Sequence, residues 1–450
     1  MIGGGDKEYD NSAFNTGGEL DPQEYAKADI FNFLDGTNSL PQRASLEKFA
    51  PKRLNQGAQG SCVAWSNAYS ARTILESRRT GKEPNSVAFS PAFMYNQIKL
   101  GNDCQGSYIV RAVENMNTYG AAPYNLMPYN AGNCSARPSD QAFSTAQNFK
   151  IKGATRIAEN PRGAMTPADV VQIKHTVAAG APVAIGMMVG GSFMQGMMGK
   201  QVWEPSRSDY SQYGFGGHAM TIIGYDDNLA GGSLQIMNSW GPEWGRNGIG
   251  WVKYKDFIKF NKEAYAYAPM GAVNQPKPNK FDVEFGLVQS TNGKAIPIRA
   301  VSLGVFRTTG KVTPGTRFKI RIKNNIECYG YIFGKEVDNT SYVLYPKTPK
   351  HSAYCGVTGS RLFPHSQSLT PDDKGTRDAF AVLITRQAID YNKANNAISS
   401  MRNANYYAAF SSALGSQILR NINFRTSTGV SFTAPSNDDK MALFVIEVEK

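Results

Sequence analysis

Histidine is scarce in this 450-residue chain, with four copies, and cysteine is little commoner, with five. Any chemistry that needs an imidazole therefore has four places to look: His175, His218, His351 and His365. No run of 18 or more apolar residues occurs, which excludes a membrane-spanning helix. The most apolar stretch, 181–189, has the length of a buried strand. Met1-Ile2 is followed by Gly3-Gly4-Gly5-Asp6 instead of a basic and then an apolar segment, so no secretion signal is expected in the chain as it stands. Later calcium ligands are missing after Asp226-Asp227-Asn228, so that stretch is a hairpin turn and no metal or cofactor is expected.

Acidic residues are outnumbered, 36 Asp+Glu against 48 Lys+Arg, for a net charge of +12. From residue 271 on there are about 23 basic against about 13 acidic residues, so most of the excess sits in the C-terminal part. The basic residues there alternate with apolar ones, as in Arg317-Phe318-Lys319-Ile320-Arg321-Ile322-Lys323, the pattern of a solvated strand face. No nucleic-acid module accompanies them, so a specific nucleic-acid partner is not expected. An anionic or protein partner for this region is the other reading.

The cysteines are Cys62, Cys104, Cys134, Cys328 and Cys355. Pairs Cys104/Cys134 and Cys328/Cys355 would each close a loop of about 30 residues, worth about 3 kcal/mol as a disulfide. Two such bridges would place the chain in an oxidising compartment, secreted or at the cell envelope; five thiols in a cytosolic protein are equally ordinary.

The length exceeds a single core, so two domains are expected. Residues 1–39 are a Gly-, Asn- and Asp-rich arm with a short helical segment at 22–33. In 40–271, helical patterns come first: one from Cys62 to about Arg79 stopped by Gly81, one opened by Ser90-Pro91, one at 109–119, one opened by Thr166-Pro167. Strand patterns follow at 182–189, 218–225, 233–239 and 250–254, which makes an α+β domain. Residues 272–280 are a linker by composition. Residues 281–450 carry short β-rich runs at 281–289, 296–306, 317–323, 328–334, 342–345, 379–385 and 442–449, with a helical insertion at 386–419, and read as a mostly-β sandwich or barrel.

The chemistry is expected around Asn55-Gln56-Gly57-Ala58-Gln59-Gly60-Ser61-Cys62. Cys62 falls at a helix N-terminus, where free N–H groups and the macrodipole favour a thiolate. A nucleophilic thiol needs a base, and His218 stands in Gly216-Gly217-His218-Ala219 at the start of a strand. The ring needs an orienting acceptor, offered by Asn238 in Asn238-Ser239-Trp240-Gly241. Trp240 and Trp244 could shield that bond. Gln56 can aim its side-chain N–H at an oxyanion together with the Cys62 main-chain N–H.

On Gln56-Gly57…Gly60-Ser61-Cys62, Cys104-Gln105-Gly106-Ser107, Gly217-His218-Ala219 and Asn238-Ser239-Trp240-Gly241…Trp244-Gly245, the chain resembles the papain family of cysteine proteases over about residues 40–270. The resemblance implies a two-lobe fold with the cleft between a helical and a β-rich lobe. It implies endopeptidase chemistry through a thioester acyl-enzyme, with Cys62 as nucleophile, His218 as acid/base, Asn238 as orienter and Gln56 in the oxyanion hole. It places Gly106, Ser107, Tyr108 and Ile109 along the substrate, with Gly186, Met187 and Gly217 as the other walls of an apolar pocket preferring Leu, Val or Phe, and Trp240 beside them. Gln59 stands where the family commonly has a Cys, so the usual bridge cannot form. The family's inhibitory propeptide has no visible counterpart in residues 1–39. The C-terminal part faintly resembles a bacterial module found after protease domains. A catalytically silent papain-like fold, binding through its basic C-terminal part, is the alternative reading.

Overall fold

The computed structural model describes residues 9–28, 40–273, 280–347, 352–355, 360–364, 368–403, 405–420, 422–426, 429–435 and 440–450. His351, His365 and most of the expected linker lie outside these residues. The described chain forms two compact units, one ending at residue 273 and one starting at residue 280.

The first unit opens with α1 (Pro22–Ala26), whose first turn is capped by the Asp21 carboxylate. After β1 (Arg43–Ser45), α2 (Cys62–Ala64) runs unbroken into a π-helical stretch, Trp65–Arg72, and then α3 (Thr73–Thr80). The π segment has a local cause. The Val63 carbonyl accepts from both Ser66 Oγ and Asn67 Nδ2, and the Ser66 carbonyl is drawn to Thr221 Oγ1 of the sheet, so side chains intrude on the helical ladder. All eight residues of the stretch are buried. Gly81, left-handed at φ +70°, ends the helix where the sequence places its stop. Helices α4 (Pro91–Ile98), α5 (Ile109–Thr118) and α6 (Asp140–Ala146) complete this lobe.

The second lobe is a seven-stranded sheet. β2 (Ala154–Arg156) and α7 (Pro167–Ala178) precede β3 (Val183–Val189), β4 (Gly216–Asp226), β5 (Ser233–Met237) and β6 (Ile249–Lys253); α8 (Tyr254–Phe260) and β7 (Asn261–Tyr267) follow. The strand order is β2-β7-β3-β4-β5-β6, with β1 added on β4. Helix α7 opens with a Thr166/Asp169 capping box, and His175 lies within it. At the end of β4, Asp227 takes Lys174 Nζ at 2.7 Å and the Tyr254 hydroxyl at 2.6 Å, an ordinary ion-paired turn.

The second unit is a sandwich. One sheet holds β8 (Lys280–Gln289), β9 (Ala295–Ile296), β12 (Phe318–Asn324), β16 (Ser360–Phe363), β18 (Asn423–Thr426) and β19 (Val430–Pro435). The other holds β10 (Ile298–Ser302), β11 (Val305–Thr308), β13 (Cys328–Lys335), β14 (Ser341–Tyr345), β15 (Tyr354–Cys355), β17 (Arg377–Thr385) and β20 (Met441–Glu449). The sheets meet over a phenylalanine-rich core in which Phe285 stacks on Phe444, centroids 3.7 Å apart. Helices α9 (Tyr391–Ser400) and α10 (Tyr406–Leu414) bury the far side of the second sheet through Ile398, Tyr406 and Phe410. Both faces of β17 are thus covered, which is why it reads as a continuous apolar run.

Two expectations are corrected here. Cys328 and Cys355 face each other directly across β13 and β15, but both are free, buried thiols. The basic strand β12 is not simply solvated: Lys319 is only 9% exposed, and Arg321 pairs with Glu284 at 2.6 Å. Arg307 and Lys450 are paired with acidic residues of the same unit as well, so local carboxylates absorb part of the charge excess.

Candidate active site

Four elements bring the expected residues together. Cys62 begins α2, His218 lies on β4, Asn238 follows the end of β5, and Gln56 precedes the nucleophile loop. All four are buried. The Ala219 N–H points at Cys62 Sγ, 3.4 Å away, which sets the sulfur against the residue after His218. Asn238 Oδ1 accepts from the Ser239 N–H at 2.7 Å, so it is the amide oxygen. His218 Nε2, 2.8 Å from the same atom, must then carry the proton, and Nδ1 is left unprotonated, buried and without a hydrogen-bond partner. Trp240 lies flat over the imidazole, centroids 4.2 Å apart and 16° from parallel. Trp244 packs on Trp240 and donates its indole N–H to the Phe193 carbonyl.

Gln56 is fixed from both sides. Its N–H donates to the Ser239 carbonyl at 2.8 Å, and its Oε1 accepts from Ser239 Oγ at 2.7 Å. Nε2 is thereby turned toward the cleft. Two neighbours in the sequence, Ser239 and Asn238, thus hold Gln56 and His218 respectively.

The cleft is not empty, because the N-terminal arm runs through it. The Thr16 carbonyl accepts from Gln56 Nε2 at 3.3 Å, and the Asn15 carbonyl from Trp240 Nε1 at 2.6 Å. Phe14 packs edge-on against Trp240, centroids 5.2 Å apart. Beyond the catalytic centre, the Gly17 and Gly18 N–H groups both donate to the Gly217 carbonyl. Gly18 pairs in parallel with Ser107, through Ser107 N–H to Gly17 O at 2.9 Å and Glu19 N–H to Ser107 O at 3.0 Å. Leu20 then enters the expected pocket: its side-chain carbons occupy the space that β-carbons on Gly186 and Gly217 would fill, and Ile109 lies alongside. Gly17 has φ +129°, and a β-carbon there would overlap the Gly60 carbonyl, so only glycine passes at this point. The arm that the sequence shows only as Gly-, Asn- and Asp-rich thus fills the cleft, and its glycines are what let it do so.

Both ends of the arm are anchored. Asp10 and Asn11 bond Gln195 and the Gly191 carbonyl. Tyr25, fully buried, donates its hydroxyl to the Ala264 carbonyl at 3.0 Å and accepts from the Ala158 and Ala264 N–H groups.

The remaining pocket residues divide. Gly106 and Ser107 lie against Gly17–Glu19, with Ser107 Oγ turned inward to the Ile98 carbonyl. Tyr108 caps α5 and is half-buried beside Arg111. Met187 does not line the pocket: opposite His218 in the register, it points to the other face of β3 from Gly186. Glu263, unmarked in the sequence, does. It stands opposite Gly186 across β3 and β7, with its Cβ 3.4 Å from where a Gly186 β-carbon would be, and is 4% exposed.

Burial governs the charges. It pushes the Cys62 thiol up to about 12 and the His218 imidazole down to about 4, against only partial compensation from the Ala219 N–H and from Asn238 respectively. Burial beneath the arm thus works against the thiolate that the helix N-terminus alone favours. Burial likewise raises the Glu263 carboxyl to about 8, opposed in part by the nearby Asp21 N–H and Tyr265 hydroxyl.

Comparison with known proteins identifies the family. The papain family cysteine protease pattern matches residues 42–269, just over half of the chain. An uncharacterized peptidase C1-like protein of Acanthamoeba polyphaga mimivirus is 27% identical over 255 residues, 55% of this chain and 78% of that one. Cathepsin B-like CP2 of Giardia intestinalis is 26% identical, over 48% of this chain and 68% of its own length. The crystal structure of xylellain, a cysteine protease from Xylella fastidiosa, superposes with a TM-score of 0.45 at 23% identity, covering 60% of this chain and 99% of that one. With the family pattern running from β1 to just past β7, this chain belongs to the papain family of cysteine proteases and is a papain-like cysteine peptidase.

Proposed function

We propose that this chain is a cysteine endopeptidase held latent by its own N-terminal arm. The observation that carries the reading is a peptide carbonyl, that of Thr16, already seated on Gln56 Nε2 in the cleft. In turnover, Nδ1 of His218 takes the thiol proton as Cys62 Sγ attacks the substrate carbonyl carbon. The oxyanion is held by Gln56 Nε2 and the Cys62 N–H. Collapse expels the amine with the proton from His218, leaving a thioester; water, deprotonated by His218, then releases the acid. Asn238 keeps Nε2 protonated and the ring aimed. Because the arm passes through the cleft, with residues on both sides of the centre, a polypeptide can bind across it without presenting a terminus, which favours an endopeptidase.

The arm resists this chemistry by its direction. A substrate places the residues before the cleaved bond along Ser107, Gly186 and Gly217; the arm places Gly17 to Leu20, the residues after Thr16, there instead. Its Gly17 nitrogen faces the Gly217 carbonyl rather than the imidazole. The experiment is labelling by a peptidyl epoxide with the modified residue mapped by mass spectrometry. Gly17→Val in the full chain, which cannot seat the arm, labels fast at Cys62, and the unsubstituted chain slowly. No label at Cys62 in either form contradicts the reading.

A further inference from the structure

We infer that Tyr129 is a positioning residue for the oxyanion hole, clamping the nucleophile loop at both ends from a segment that Gln59 and the Cys104–Cys134 disulfide hold in place. The inference rests on the endopeptidase reading above and adds a residue to its machinery.

The two oxyanion donors sit at opposite ends of one loop, Gln56 at its start and the Cys62 N–H at its finish. Between them lie Gly57, at φ +64°, and Gly60; within the loop the Gln59 carbonyl accepts from Gln56 Nε2 at 2.9 Å and from the Ser61 N–H at 2.8 Å, and these bonds leave the Gln56 main chain to be tied from outside. Tyr129 spans the loop. Its hydroxyl lies 2.7 Å from the Gln56 carbonyl and 2.7 Å from Ser61 Oγ. A carbonyl only accepts, so the single Tyr129 proton goes to Gln56, and Ser61 donates to Tyr129 in turn. One oxygen thus joins the residue bearing the first donor to the residue next to the second. The ring is held edge-on by Trp65, centroids 4.8 Å apart.

The rest of the segment follows the loop. Gln59, 1% exposed, donates from Nε2 to the carbonyls of Asn130 and Ala131, both at 3.3 Å. A β-carbon on Gly57 would meet the Ala131 methyl at 3.0 Å. The Gly60 N–H donates to the Cys104 carbonyl at 3.1 Å, and Cys104 is bridged to Cys134 at the far end of the segment. At position 59, where the family commonly has a half-cystine, a carboxamide makes two hydrogen bonds to a segment that the relocated bridge secures. The nucleophile's own contact, with the Ala219 N–H, is independent of this clamp.

The test is made in the full chain carrying Gly17→Val. Tyr129→Phe keeps the ring against Trp65 and removes both hydrogen bonds. The expected result is about a tenfold fall in kcat, with KM and the rate of Cys62 alkylation by iodoacetamide within twofold. Gln59→Ala is expected to lower kcat in the same pattern and to a smaller extent. A kcat for Tyr129→Phe within twofold of its parent overturns the positioning role, as does a loss matched by slower alkylation, which would mean general disruption of the site. If the Gly17→Val parent alkylates at Cys62 yet cleaves no peptide, the endopeptidase reading fails, and the positioning role with it.

Discussion

The main-chain oxygen of Thr16 lies 3.3 Å from Nε2 of Gln56, so the side chain placed to stabilise a reacting carbonyl already holds one from the same chain. With the arm seated by that contact, the cleft is occupied, and burial disfavours charge on both Cys62 and His218.

A peptide of residues 9–28 supplied in trans should inhibit the Gly17→Val protein competitively and survive the encounter intact. Its polarity places the Gly17 nitrogen on the Gly217 carbonyl, where His218 cannot protonate it as a leaving group. Inhibition constants and mass spectra of the recovered peptide check this; a peptide cut between Thr16 and Gly17 would contradict it.

Tyr25→Phe should loosen the arm without touching the cleft. The docked arm would then leave the Ala158 and Ala264 N–H groups unpaired and buried, a loss of about 1–3 kcal/mol, or roughly a 5- to 150-fold rise in background epoxide labelling. Substituting Tyr25 should leave kcat of the Gly17→Val form unchanged.

Between about pH 4 and pH 8, below the ordinary range of the Cys62 thiol, the hold of the arm should depend on pH through two groups acting in opposite senses. Glu263 is raised to about 8 from the ordinary 4.5. A carboxyl raised in the docked state supports docking while protonated, so its support is full below about 4.5 and is lost as pH rises toward 8. His218 is lowered to about 4 from 6.5, so its support is full above 6.5 and is lost as pH falls toward 4. Glu263→Gln should abolish the release on the alkaline side and leave the acid side intact. Labelling rates of the full chain, taken relative to the Gly17→Val form at each pH, measure both; an unchanged alkaline limb would contradict the role of Glu263.

The four residues that meet in the cleft were legible because each sits in a local pattern: Gln56 and Cys62 six apart across glycines, His218 after Gly216-Gly217, Asn238 before Ser239-Trp240. The helices announced themselves through caps, Ser90, Thr166 and the stop at Gly81, and the structure places them within a residue or two. The arm was not legible. Gly17-Gly18 looks like flexible composition, and its meaning exists only once a narrow passage between Gly60 and Gly217 is built around it. Glu263 is one polar residue in a strand, and only its register opposite Gly186 brings it to the pocket. Met187 erred for the same reason, since one step along a strand changes the face. In the second unit the strong runs were readable, while the two-residue β15 and the polar β18 carry too little pattern to stand out. The bridge expected between Cys328 and Cys355 shows that facing positions do not by themselves make a disulfide.

The most direct test is turnover of an unfolded protein substrate by three full-length forms: unsubstituted, Gly17→Val, and Gly17→Val with Cys62→Ala. A latent cysteine endopeptidase predicts a rise of at least a hundredfold on Gly17→Val and its complete loss when Cys62 is removed. Equal turnover in the first two forms, or activity that survives Cys62→Ala, would contradict it.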